Sequence, residues 1–127
     1  MKIRKGMDNT VSLNAISDEQ ALEAIKAGEF GSDIIASKPN VAVILTQSWC
    51  PQWQGMRNDL EALDDPDIDV WLLIYDRSSV FDEFLSFKEN VLCNDEIPYI
   101  RYYKDGVFVS QSNAVSQSSF LNKLKEN

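Results

Sequence analysis

Val41-Ala42-Val43-Ile44-Leu45, Thr46-Gln47-Ser48 and Trp49-Cys50-Pro51-Gln52-Trp53 follow one another without a gap, and this junction decides the fold. The first segment is a β-branched apolar run bounded by polar residues, which reads as a buried strand of the kind found in parallel sheets covered on both faces. Beyond it, Trp53, Met56, Leu60 and Leu63 recur at spacings of three, four and three, the mark of a helix with one buried face. Pro51 suits the first helical turn, where a missing N–H costs nothing and a fixed φ is already helical. Cys50 therefore falls at the mouth of a helix, where unpaired backbone N–H groups and the positive dipole end favour a thiolate over a thiol. A cysteine so placed is a candidate nucleophile.

The order of strand, Trp-Cys-x-x, helix and a later Ile97-Pro98 pair opening an apolar strand resembles the thioredoxin family, from about Val41 to the C-terminus. The resemblance implies an α/β, thioredoxin-like three-layer fold, a central mixed sheet of four to five strands flanked by helices. It further implies one domain over residues 1–127, with 1–40 as a lead-in of strand and helices and 41–127 as the core. The family's site is Trp-Cys-x-x-Cys, and here the fourth position is Trp53, so the dithiol is incomplete.

Size and composition agree with one ordinary globular domain: 127 residues, 44% apolar and 25% charged. No stretch approaches the roughly 18 apolar residues of a membrane span. Met1-Lys2-Ile3-Arg4-Lys5 is basic, but Gly6-Met7-Asp8-Asn9 follows where a signal peptide has its apolar segment, so a cytoplasmic location is expected. Net charge is −8, from 12 basic and 20 acidic residues. The acids gather in Asp59, Glu61, Asp64, Asp65, Asp67 and Asp69, read as a solvated helix end and loop that would repel phosphate backbones, which argues against nucleic acid as a partner. Histidine is absent, which removes the commonest general base and metal ligand. Two cysteines 43 positions apart build no zinc spacing, and neither metal nor cofactor is expected.

Along the chain, Val11 and Leu13 suggest a short edge strand weakened by Asn9, Ser12 and Asn14. Ser17-Asp18-Glu19-Gln20 fits a capping box opening a helix that runs to Gly28. Asp33-Ile34-Ile35-Ala36-Ser37 suggests a short helical piece stopped by Lys38-Pro39. After the central strand and helix, Asp64-Asp65-Pro66-Asp67 forms a turn and Ile68 to Tyr75 a second strand, giving a βαβ unit with parallel strands. Val80, Phe81, Phe84, Leu85 and Lys88 repeat at helical spacing. Ile97 to Tyr103 and Val107-Phe108-Val109 flank Lys104-Asp105-Gly106, a hairpin signal. Ser116 or Ser118 caps a last helix that buries Phe120, Leu121 and Leu124.

In the family the bond corresponding to Ile97-Pro98 is cis and faces the active-site cysteine. The resemblance thus implies that Ile97 presents backbone pairing groups to an extended thiol-bearing substrate and that Pro98 borders the groove; without it, a trans proline opening a strand is the ordinary reading. Disulfide exchange needs an attacking thiolate and a second thiol to resolve the mixed disulfide. Cys50 supplies the first and Trp53 cannot supply the second, so release falls to an external thiol such as glutathione, with protein thiols or disulfides as partners. Cys93 is expected to be a buried or half-buried structural thiol. Family positions for a buried acid, a neighbouring lysine, a helix-kinking proline and a groove glycine are here Ile44, Leu72, Asn58 and Ala114.

Trp53 should point to the core and fill the volume of the missing thiol, Trp49 should be exposed beside Cys50 as a platform for a partner, and Trp71 should be core. The candidate site is then Cys50 as the catalytic thiol, with Trp49, Pro51, Trp53, Ile97 and Pro98 contacting substrate. Three functions stay open: a monothiol oxidoreductase or thiol carrier, a non-catalytic binding or adaptor module for a protein partner, and an assembly subunit.

Overall fold

The computed structural model describes residues 12–61, 65–113 and 117–125. Five strands form one mixed sheet in the order β1-β3-β2-β4-β5: β1 Ser12–Ala15, β2 Asn40–Thr46, β3 Ile68–Ile74, β4 Tyr99–Lys104 and β5 Val107–Ser112. Both β1 and β2 run parallel to β3, whereas β4 is antiparallel to β2 and β5 to β4. Among the described residues five α-helices accompany them: α1 Asp18–Ala27, α2 Ser32–Ile35, α3 Pro51–Glu61, α4 Phe81–Asn90 and α5 Gln117–Lys125.

The alternation of side chains along β2 sorts these helices into two outer layers. Val41, Val43 and Leu45 point into a core shared with Ala21 and Ala24 of α1, Ile34 of α2, and Phe84 and Phe87 of α4. Ala42 and Ile44 point the other way, into a core with Trp53, Met56 and Leu60 of α3 and Phe120 and Leu124 of α5. Every residue of β2 is buried, as expected of a central strand covered on both faces. The result is the α/β three-layer architecture expected from the sequence.

Local chemistry sets the ends of these elements. Ser17 Oγ accepts from Gln20 N–H at 3.0 Å while Gln20 Oε1 accepts from Ser17 N–H at 2.8 Å, and Gly28 closes α1 in the left-handed region at φ 83°. Asp105 and Gly106 take φ of 51° and 81°, the two positive values that a two-residue hairpin turn requires between β4 and β5. Residues 12–40 are integral to the packing, since β1 is hydrogen-bonded to β3 and α1 supplies core residues. Val11, Leu63, Asp64, Ala114 and Ser116 lie outside the described residues, whereas Ser118, the other residue proposed to cap α5, falls inside that helix.

Three expectations need correction. Cys93 is exposed, because α4 ends by turning Leu92 inward and Cys93 then reverses the chain at φ 60°, which directs its thiol outward. Asp69 does not belong to a solvated loop: it sits within β3, largely buried, with Lys38 Nζ 3.7 Å from its carboxylate. Trp71 is half-buried, its indole N–H donating to Ser37 Oγ at 3.0 Å near the surface.

Candidate functional site

The site begins where β2 stops at Thr46 and the chain needs four residues to reach α3. Cys50 N–H donates to the Gln47 carbonyl at 3.2 Å, and the Cys50 carbonyl accepts from Gln54 N–H at 3.3 Å. Cys50 is thereby seated one residue ahead of Pro51, which opens the helix as its fixed φ allows.

Tyr75 and Asp76, in the 3-10 turn Tyr75–Arg77 that follows β3, hold the loop in place. Asp76 accepts from Ser48 twice, from its N–H at 2.8 Å and its hydroxyl at 2.7 Å. Burial acts to raise the Asp76 pKa, but the hydrogen bonds from Ser48 outweigh it and hold the carboxyl below its ordinary value. Gln47 bridges in the other direction: its Nε2 donates to Tyr75 Oη at 3.2 Å, and its Oε1 accepts from the Trp49 indole at 2.6 Å. Burial raises the Tyr75 pKa, the Gln47 bond opposing it.

The six proposed site residues divide between core and surface. Cys50 is only 2% exposed and lies in the α3/α5 core with Trp53, Ile44 and Ile100; half-buried Ile97 packs against the same cluster. Trp53 is buried in the volume beside Cys50. Pro98 is buried, follows a cis Ile97–Pro98 peptide, and its carbonyl accepts from Asn113 Nδ2 at 3.0 Å. Trp49, at 64% exposure, and Pro51 face solvent. Cys50 and Trp53 thus share one buried cluster against which Ile97 packs, and Trp49, next to Cys50 in the chain, offers an external apolar surface.

Beneath the site, Ile44 and Leu72 are register partners on β2 and β3, so the two family positions for an acid and a lysine are adjacent and both apolar. Among the described residues no group of three histidine, cysteine or carboxylate side chains converges as a metal site.

Other residues that shape the site were not anticipated. Lys88 is 1% exposed, and its Nζ donates to the carbonyls of Asn94 at 2.9 Å and Glu96 at 2.8 Å, tying down the segment that leads into Ile97-Pro98. Burial drops its pKa to about 8, with nearby Glu89, Asp95 and Glu96 working against the drop. Its helical spacing with Phe81 and Phe84 was the available signal, since it placed a charge on the buried face. Asp76 and Gln47 gave no such signal, because their partners are distant in sequence or chemically ordinary.

No family model matches the chain, and no curated protein matches it in sequence. Solved structures do. A mutant thioredoxin from Halobacterium salinarum NRC-1 superposes with a TM-score of 0.65 at 14% identity, covering 94% of this chain and 92% of that one. Thioredoxin O1 from Arabidopsis thaliana in its oxidized state gives 0.64 at 13% identity, covering 90% and 96%. A structure describing the thiol resolving mechanism in yeast mitochondrial 1-Cys peroxiredoxin via glutathione/thioredoxin systems gives 0.62 at 15% identity, covering 94% and 99%. Likeness at these identities speaks to architecture: together with the sheet order and the two helical layers, it establishes this chain as a thioredoxin-fold protein.

Proposed function

We propose that this chain exchanges disulfides through Cys50 alone, forming a mixed disulfide with a protein partner and depending on an external thiol for release. The observation that carries this reading is the seating of Cys50 immediately before α3, with Trp53 packed where a resolving thiol would be needed. In the first step the Cys50 thiolate attacks one sulfur of the partner's disulfide. A Cys50–partner bond forms, the partner's S–S bond breaks, and the departing sulfur takes a proton from water. An external thiolate then attacks the partner's sulfur, bonds to it, and expels Cys50 as a thiolate. A low-molecular-weight thiol of the glutathione type fits that role, and the yeast system named above couples glutathione and thioredoxin to a one-cysteine protein.

A second reading is favoured by a separate observation: Cys50 is 2% exposed while Trp49 is 64% exposed. A partner could dock on Trp49 without meeting the sulfur, which is the behaviour of a non-catalytic binding module.

Capture from cells separates the two. The Cys93→Ser chain should retain partners that are released by reductant, and these should vanish when Cys50→Ser is added. Equal capture by both chains, insensitive to reductant, would favour the binding module.

A further inference from the structure

Residues 91–98 link α4 to β4 without forming a helix or strand, so their backbone groups must find partners outside the regular ladders. Three side chains from three parts of the chain supply them. Lys88 of α4 turns its ammonium into this loop, where three N–H donors meet three acceptors: the carbonyls of Asn94 at 2.9 Å and Glu96 at 2.8 Å, and Asn94 Oδ1 at 3.3 Å. Asn94 Oδ1 also accepts from the Glu96 N–H at 3.0 Å. Asn113, just past β5, pairs its carboxamide with that of Asn94 through two bonds of 3.3 Å, and its Nδ2 donates to the Pro98 carbonyl at 3.0 Å.

This network grips the chain on both sides of Ile97. Glu96 is held by Lys88 and Asn94, and Pro98 is held by Asn113. Ile97 itself is half-buried and packs against the cluster that encloses Cys50. Because Cys50 is only 2% exposed, a partner's sulfur reaches it over the side chains around it. A small disulfide can turn to fit that approach. A polypeptide has chain on both sides of its cysteine and must lie along the wall, where a misplacement of about 1 Å can cost on the order of a hundredfold in rate.

We propose that Asn113, acting with Asn94 and Lys88, is a positioning residue for disulfide exchange with polypeptides: it fixes the Ile97 wall along which a partner's chain lies as its sulfur meets Cys50. The inference rests on the reading of Cys50 as the exchanging thiol. None of the three side chains needs to touch either sulfur.

The test uses the Cys93→Ser chain, so that Cys50 is the thiol that reacts. Two probes carry the same disulfide to nitrothiobenzoate: N-acetylcysteine amide, and an extended peptide with one central cysteine. Attack by the Cys50 thiolate on the cysteine sulfur forms the mixed disulfide and expels nitrothiobenzoate as a coloured thiolate. The peptide is expected to react roughly tenfold faster than the capped amino acid. Adding Asn113→Ala should slow the peptide by roughly tenfold and the capped amino acid by less than about twofold, a split that a general loss of stability does not produce. Lys88→Met should show the same split; if that chain fails to fold, the half-buried Asn113 still decides the matter. No peptide preference in the parent chain, a preference unchanged in Asn113→Ala, or equal slowing with both probes would overturn the assignment while leaving Cys50 as the exchanging thiol. No reaction with either probe would overturn the reading of Cys50 and this assignment with it.

Discussion

Ile44 on β2 lies directly across from Leu72 on β3, and Ile44 has no exposed surface. Where thioredoxins that reduce substrates quickly place an acid and a lysine beneath the dithiol, this chain packs two hydrocarbons. Ile44→Asp should therefore cost at least about 3 kcal/mol in urea unfolding, the scale of an unpaired buried charge. Adding Leu72→Lys should recover part of that loss, because register partners on adjacent strands can pair. Strict additivity of the two substitutions would show that the positions do not meet.

Lys88 gives the stability a signature in alkali. Its folded pKa is lowered from 10.5 to about 8, so between those values the unfolded chain binds more protons and stability rises with pH. The contribution is complete above 10.5 and is lost as pH falls through about 8, for a change of up to about 3 kcal/mol. Tyrosines oppose it at the upper end: burial raises Tyr102 to about 12, against its Ser112 hydrogen bond, so the stabilisation from keeping that phenol protonated fades above pH 10. Chemical denaturation from about pH 7 to 10 should show the rise in the native chain and lose it in Lys88→Met.

The ion pair of Arg101 with Glu29 is the centre of a polar cluster at the edge of the α1/α4 core. Arg101 also donates to Tyr103 Oη at 2.8 Å and Tyr99 Oη at 3.0 Å, and its guanidinium lies 4.2 Å from the Phe108 ring centroid. Glu29→Gln removes the charge while keeping the shape, and should cost roughly 1.5–3 kcal/mol, the worth of charged hydrogen bonds. Combining it with Arg101→Met should cost less than the sum of the two single changes. A neutral single substitution in thermal unfolding would contradict the role assigned to this cluster.

Trp53→Cys restores two thiols at the family spacing but empties a packed site. Stability should fall by roughly 3 kcal/mol, near the lower end of Trp-to-small changes. On oxidation the chain should form an internal disulfide and lose the mixed disulfide with partners. A persistent mixed disulfide in this variant would mean that residue 53 is not placed to resolve Cys50.

Much of this molecule is legible in the sequence. The apolar run into Pro51, the capping box at Ser17 and the Asp105-Gly106 turn each state their structure locally, because strand burial, helix capping and positive φ depend on residues close together. What was missed depends on long-range contacts. Cys93 looked like a core thiol until the chain reversal after α4 turned it outward. Asp69 reads as one of the loop acids although the second strand already reads from Ile68; what the sequence does not show is Lys38, 31 positions away, beside its carboxylate. Asp76 clamps Ser48 across 28 positions, and Asn113 pairs with Asn94 across 19; spacing rules do not extend that far.

The central claim is that Cys50 reacts and has no internal partner to release it. Intact mass of the native chain, Cys93→Ser and Cys50→Ser, followed over time with oxidised glutathione, measures this directly. Cys93 is exposed and should be modified first in the native chain. The account predicts that Cys93→Ser takes up one glutathione at Cys50 and keeps it until free thiol is added. An unmodified Cys93→Ser chain, with every adduct in the native protein on Cys93, would contradict it.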